Sequence, residues 1–420
     1  MNIEGNIQIN LQAHWQNSAG GLAQVEIQSS RPLQAVKLFQ GKSVQQLLEL
    51  IPLLYSVCGT AQAYTALSAC QNAMGIRANP NIQAAQQLLV DMETTREHLW
   101  RILLDWPKFL SNKELNEKDQ KVNSAARLTD LIPISKQVLF INGNAFSLNA
   151  QLIDDHSQFK KYIHTRIDEI EEILASQIFD QGVQEWLETF QFKDINDWLT
   201  SSHTLASHLL SQVQQMGWDK AGSNQVAFMP ELNESSLHEL FNQHEVEQFI
   251  AHPTWDQMCY ETTSLQRMQN HPIIKKLQAD YGNGLFIRLV ARLVELAELP
   301  QRLREQLNSI MPENLVTSAY ESKDDIDTKN SLIERAGLAQ VEAARGRLIH
   351  WIKLDNGIVK DFRILAPTEW NFHPQGVAAE GLKNILADYS QANNDESFKT
   401  QADLWLNAID PCVSYTINMS

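Results

Sequence analysis

Residues 50–69 read LIPLLYSVCGTAQAYTALSA, and near the other end of the chain residues 410–418 read Asp410-Pro411-Cys412-Val413-Ser414-Tyr415-Thr416-Ile417-Asn418. From Leu50 to Gln71 there is no charged residue, which invites the reading of a membrane span. Pro52, Gly59, Gln62 and several Ser and Thr argue against it, because polar groups and helix breaks facing lipid find no partner there. A helix-turn region buried in protein fits the same residues.

Working outward, the pattern stays helical. Leu47, Leu48, Ile51, Leu54 and Tyr55 form one apolar face within a stretch from Pro32 to about Ile76. Residues 81–110 place Leu88, Leu89, Met92, Leu99, Ile102 and Leu103 on a second stripe, closed by Trp106-Pro107. Ahead of these, Ile3, Ile7, Ile9 and Leu11, then Gly20-Gly21, then Leu22, Val25 and Ile27 alternate as a strand pair does. Residues 111–330 are mostly helical by pattern, with Leu285 to Leu299 a core helix and Glu169, Glu171 and Glu172 a solvated charge face. The charged run 321–329 reads as a surface loop. Leu348 to Ile364 forms two alternating runs around Asp355-Asn356-Gly357, and an Asn-Gly turn there signals a hairpin.

The expected fold is mainly α with small β elements (α+β), in one domain over residues 1–420. Its expected parts are β elements at 1–30, helices of the first motif at 31–110, a helical middle at 111–330, and a hairpin with the C-terminal motif at 331–420.

Composition narrows the function. The 420 residues carry 34 Lys+Arg and 50 Asp+Glu, a net charge of −16, which disfavours nucleic acid and anionic membrane as partners. Hydrophobic residues at 43% and charged residues at 20% describe a folded globular chain. Four cysteines, none in a CxxC pair, make neither a disulfide framework nor a local zinc knuckle, and Cys70 and Cys259 read as small buried hydrophobes. The N-terminus lacks a signal peptide's basic and apolar regions, so a reduced, cytoplasmic protein is expected.

Several motifs fail on inspection. Gly41-Lys42-Ser43 resembles the end of a phosphate loop, but Val36 occupies the position where that loop needs its first glycine. His203 and His208, and His238 and His244, are spaced so that neither pair stacks on one helix face as metal ligands do. Neither a nucleophile elbow nor a His-Glu-x-x-His run is present.

The two opening stretches together resemble the metal-binding motifs of nickel–iron hydrogenase large subunits, which carry Arg-Ile-Cys-Gly-x-Cys near the N-terminus and Asp-Pro-Cys-x-x-Cys-x-x-His at the C-terminus. Ile3-Glu4-Gly5-Asn6 is similar to that family's opening strand. The run from Glu342 through Arg345-Gly346 to His350 is similar to its Glu-x-Pro-Arg-Gly-x-x-x-His segment, and Ala366-Pro367-Thr368-Glu369-Trp370-Asn371 to its Ala-Pro-Thr-x-Trp-Asn. The resemblance implies a large-subunit-like helical bundle with N-terminal strands and a hairpin in the C-terminal half. In the family, four thiolates hold nickel and two of them bridge to an iron bearing CO and cyanide, a role suited to soft anionic sulfur.

The departures redirect the functional expectation. Cys58 and Cys412 match the first cysteine of each pair, but the second positions are Ala61 and Tyr415, and the histidine positions are Thr65 and Asn418. The missing thiolates correspond to the family's bridging pair. The Arg-Gly-x-Glu motif survives only as Arg31-Pro32-Leu33-Gln34, and a glutamine cannot exchange a proton. The chain ends at Ser420, close after Asn418, so a protein outside the cycle of nickel insertion and C-terminal cleavage is expected.

The Cys-Gly-x-Ala-Gln form of the first motif and the run Thr368 to Pro374 resemble the HupK/HoxV-type hydrogenase expression/formation proteins. That resemblance implies a non-catalytic scaffold or chaperone in hydrogenase maturation. Cys58 and Cys412 would transiently hold iron, as Fe(CN)2CO or its precursor, with nickel not expected. Arg345, Asp410, Pro411 and His350 would line the ligand pocket. Expected partners are HypC-type maturation chaperones and the hydrogenase large subunit. The alternatives are a metal-free docking protein for the maturation machinery and, further off, a hydrogenase with an unusual metal site.

Overall fold

A computed structural model of the chain describes residues 5–14, 22–55, 57–110, 124–192, 194–243, 246–311, 320–322, 335–389 and 395–419. Ile3 and Glu4, the Gly20-Gly21 break, His244 and positions 323–329 of the expected loop lie outside these residues. The alternating N-terminal runs form strands β1 (Ile7–His14) and β2 (Leu22–Ser29), paired antiparallel from Ile7 opposite Ser29 to His14 opposite Leu22. A third strand, Tyr415–Met419, lies parallel to β1 with Ile7 opposite Tyr415 and Leu11 opposite Met419. This strand went unread in the sequence, and it matters most for the site, since it ties the two ends of the chain into one sheet.

The helical expectation holds. Helices α1 (Val44–Leu54), α2 (Gly59–Met74) and α3 (Pro80–Trp100) follow, and a twenty-five-residue helix, Leu285–Ser309, runs through the core. Ser43 caps α1 in a reciprocal capping box with Gln46. The uncharged stretch is explained by burial: nearly every residue of α2 is enclosed, so its side chains must be small or neutral. The strand Arg335–Ala343 packs so closely on α2 that a Cβ at Gly337 would stand 2.1 Å from the Ala69 carbonyl oxygen. Among the described residues, no helix is long and apolar enough to cross a membrane.

The expected hairpin is present as Gly346–Asp355 and Ile358–Leu365, turning through Asn356 (φ 49°) and Gly357 (φ 75°). The strand Arg335–Ala343 adds to it, making a three-stranded antiparallel sheet. Two expectations need correction. Glu321 and Ser322, assigned to a loop, belong to a short strand Tyr320–Ser322 paired with Ile76–Ala78, because backbone groups there find a ladder partner. Glu171 is not simply solvated but bonds Arg304 at 2.6 Å, and Glu169 pairs with Arg166 one turn away.

Candidate metal-binding pocket

Cys58 stands at the head of α2, yet its side chain does not cap the helix. The N–H groups of Thr60 and Ala61 donate instead to the two carboxylate oxygens of buried Glu93 on α3, each at 2.9 Å. A buried anion thus satisfies the helix start. Cys412 follows the helix Asp395–Ile409 through a tight turn. Asp410 adopts a left-handed backbone (φ 65°) while its N–H closes the last turn on the Leu406 carbonyl at 2.9 Å. Pro411 then prevents further helix. A non-glycine residue held in that conformation is backbone strain stored beside a candidate site.

These two turns, anchored by the terminal sheet, bring Cys58 and Cys412 together. Both line a cavity of about 60 Å³ with Arg31, Leu33, Tyr55 and Glu369, and a tighter one of about 20 Å³ with Gln62, Glu93, Glu97 and Arg345. The space suits a few water-sized groups. Gln62 Nε2 donates to the Cys58 sulfur at 3.7 Å, and Thr368 Oγ1 donates to the Cys412 sulfur at 3.1 Å.

The two thiols also share a hydrogen bond, and it separates their acidities. Donation from Cys58 lowers the Cys412 thiol to about 6, against the opposing cost of burial and with help from Arg345 and Arg31. Cys58, as the proton's keeper in that bond and buried besides, is pushed well above the ordinary thiol range. The pair therefore loses its first proton from Cys412.

Behind the sulfurs lies a buried charge network. Asp410 meets Arg101, Arg345 Nε at 3.2 Å and Arg292 at 3.5 Å. Burial would raise its carboxyl, but the three guanidiniums outweigh burial and hold it well below the usual carboxylate range. Arg345 reaches Glu97 at 3.2 Å, while its Nη1 has no hydrogen-bond partner among the described residues although the side chain is only 6% exposed. Gly346 explains why the guanidinium arrives on an Arg-Gly pair: at φ 125°, a Cβ there would fall 1.9 Å from the Thr262 carbonyl oxygen. Arg31 bonds Glu369 at 2.5 Å and walls both cavities.

Of the residues singled out in the sequence, Cys58, Cys412 and Arg345 line the pocket, whereas Asp410 lines neither cavity and reaches it only through Arg345, and Pro411 shapes the turn. His350 stands one residue back, with Nε2 2.8 Å from Gln62 Oε1. Gln34 is exposed and lines neither cavity, so the sequence comparison at Arg31 to Gln34 places its first residue in the site but not its last. Gln62, Thr368 and Glu369 lay inside quoted motifs, whereas Glu93 had no local signal. Cys70 is buried as expected, but Cys259 is only partly buried and its sulfur lies 3.1 Å from His373 Nδ1. A neighbouring imidazole gives that thiol a polar partner which a core position would not. Among the described residues no three His, Cys, Asp or Glu side chains converge to hold a metal ion. Two sulfurs alone suit a metal that brings other ligands with it.

Fold and pocket together define a hydrogenase large-subunit architecture. Residues 249–417 match the family model described as "Nickel-dependent hydrogenase". The fold superimposes on the nickel–iron–selenium hydrogenase of D. vulgaris Hildenborough with a TM-score of 0.64 over 94% of each chain, at 14% identity. The chain thus resembles nickel–iron hydrogenase large subunits in its fold and, across residues 249–417, in its sequence.

The chain is also similar to hydrogenase expression/formation proteins, being 28% identical to HoxV of Cupriavidus necator, over 94% of this chain and 92% of that one. It is also 33% identical to the expression/formation protein HupK of Rhizobium leguminosarum bv. viciae, over 31% of this chain and 35% of that one.

Proposed function

We propose that this protein is a non-catalytic scaffold in the maturation of nickel–iron hydrogenase, holding an Fe(CN)2CO unit or its precursor between Cys58 and Cys412 before it passes to the large subunit. The observation that carries the reading is the convergence of these two thiols beside Arg345 Nη1, which has no hydrogen-bond partner among the described residues. Similarity to proteins named for hydrogenase expression and formation supports the maturation role.

The chemistry follows from the donor set. Thiolate sulfur binds low-spin iron well, and two sulfurs leave positions for diatomic ligands that the cargo already carries. Arg345 Nη1 offers a charged donor to a cyanide nitrogen, while Asp410 and Glu97 keep that guanidinium fixed and charged. Loss of the Cys412 proton prepares the first sulfur, and the second thiol yields its proton as metal binds. Two attachment points, in place of the family's four, suit a load that must leave again. HypC-type chaperones would deliver it, and the large subunit would receive it.

The test is an infrared spectrum of the protein isolated from cells that make hydrogenase. CO and cyanide bands together with bound iron are expected, and both should disappear in the Cys58→Ser/Cys412→Ser double variant along with hydrogenase maturation. Maturation undiminished in the double variant would instead make the chain a metal-free docking protein.

A further inference from the structure

Behind Cys58 lies an arrangement that the scaffold reading does not use. Gln62, one turn along α2, is 1% exposed and spans from the Cys58 sulfur to His350. His350 is fully buried on the strand Gly346–Asp355 and packs edge-on against Phe362, ring centres 5.2 Å apart. Burial lowers its imidazole to about 3, so the ring is neutral at physiological pH. A neutral imidazole has one N–H, and the amide oxygen at 2.8 Å can only accept, which places the proton on Nε2. Nδ1 then remains a bare acceptor, and it has no hydrogen-bond partner among the described residues.

The consequence is directional. With its oxygen taken by His350, the Gln62 amide must turn its NH2 toward Cys58. A flipped amide would set its oxygen against the metal-bound thiolate, a repulsive contact in a dry interior. We infer that Gln62, oriented by His350, is a positioning residue that donates a hydrogen bond to the Cys58 thiolate and weakens its hold on the bound iron unit. The inference rests on the proposed function. Hydrogen bonds to metal-bound sulfur withdraw electron density from the metal and tune it. At a transfer site that means easier release. Thr368, the donor on Cys412, is held by no second side chain among the described residues, so the tuning falls on the sulfur of α2.

The infrared sample that tests the scaffold also tests this inference. Gln62→Leu should leave iron and its ligands in place and shift the CO band to lower wavenumber, since a more electron-rich iron donates more into CO. His350→Phe should give the same shift by freeing the amide to turn, whereas His350→Gln, which can still donate to Gln62, should keep the wild-type position. The Gln62→Leu/His350→Phe double variant should shift no further than Gln62→Leu, because His350 acts only through the amide. Far-UV circular dichroism identifies variants that retain the fold. A CO band at the wild-type position in Gln62→Leu, or a further shift from His350→Phe in the Gln62→Leu background, overturns the inference and leaves the scaffold standing. Absence of CO and cyanide bands from the wild-type protein overturns the scaffold, and the inference with it.

Discussion

Cys58 and Cys70 sit at the head and toward the end of the same helix, and their surroundings differ in almost every respect. Cys70 is fully buried among apolar neighbours, and burial alone pushes its thiol far above the ordinary range. Cys58 faces a cavity, a second thiol, an amide donor and the guanidiniums of Arg31 and Arg345. The same side chain on one helix is thus a packing unit in one place and a candidate ligand in the other. What separates them is the charge aimed at the sulfur from other parts of the chain, not the helix that carries it. The contrast can be broken from either side.

The largest effect should come from the network that supplies the charge. Asp410 is the carboxylate among Arg101, Arg292 and Arg345, and Asp410→Asn leaves those guanidiniums without it. Removing one partner of a buried charge cluster costs on the order of 3–5 kcal/mol. Urea unfolding at neutral pH should show a loss of that size. Because the folded carboxyl lies below its unfolded value, its stabilisation is fully present above about pH 4 and is lost as the pH falls further. The variant should therefore show a flatter loss of stability in acid than the wild type, and an unchanged acid slope would remove Asp410 from the network's energetics.

A smaller effect concerns the sulfur itself. Alkylation of the metal-free protein, followed peptide by peptide, should single out Cys412, with a rate rising through a midpoint near 6. Cys58→Ala removes the hydrogen bond that lowers this thiol most, and a midpoint raised by about one unit would slow the reaction at pH 6 by about fivefold. Arg31→Gln should act in the same direction and by less. A midpoint near 8.5 in the wild type would make Cys412 an ordinary thiol, untouched by the charges around it.

Much of this contrast was open to reading in the sequence. The strand pair, the helical stripes and the Asn-Gly hairpin follow from periodicity, which is a local property. The pairing of the chain ends is not local: Tyr415 to Met419 shows too short an alternation to declare itself, and only β1 beside it makes it a strand. The same limit governs the site. Cys58, Cys412, Arg345 and Asp410 came forward because each sits in a motif. Glu93 is one polar residue on a helix of mixed character, and its purpose appears only when the head of α2 is brought against it. Gln34 failed for the complementary reason, since proximity in sequence to Arg31 did not carry it into the cavity.

The last effect, and the smallest, comes from the packing side of the comparison. Cys70→Ala removes a sulfur from a fully buried position where burial alone raises the thiol. The lost contacts and the small void should cost about 1 kcal/mol in urea unfolding. The Cys412 alkylation midpoint should not move, because the groups that set it are Cys58, Arg345, Arg31 and Thr368. Cys70 in the wild type should likewise resist alkylation until the chain unfolds, at any pH where the fold survives. Should Cys70→Ala shift the Cys412 midpoint, α2 would be transmitting strain along its length, and the two cysteines would be parts of one site rather than neighbours on one helix.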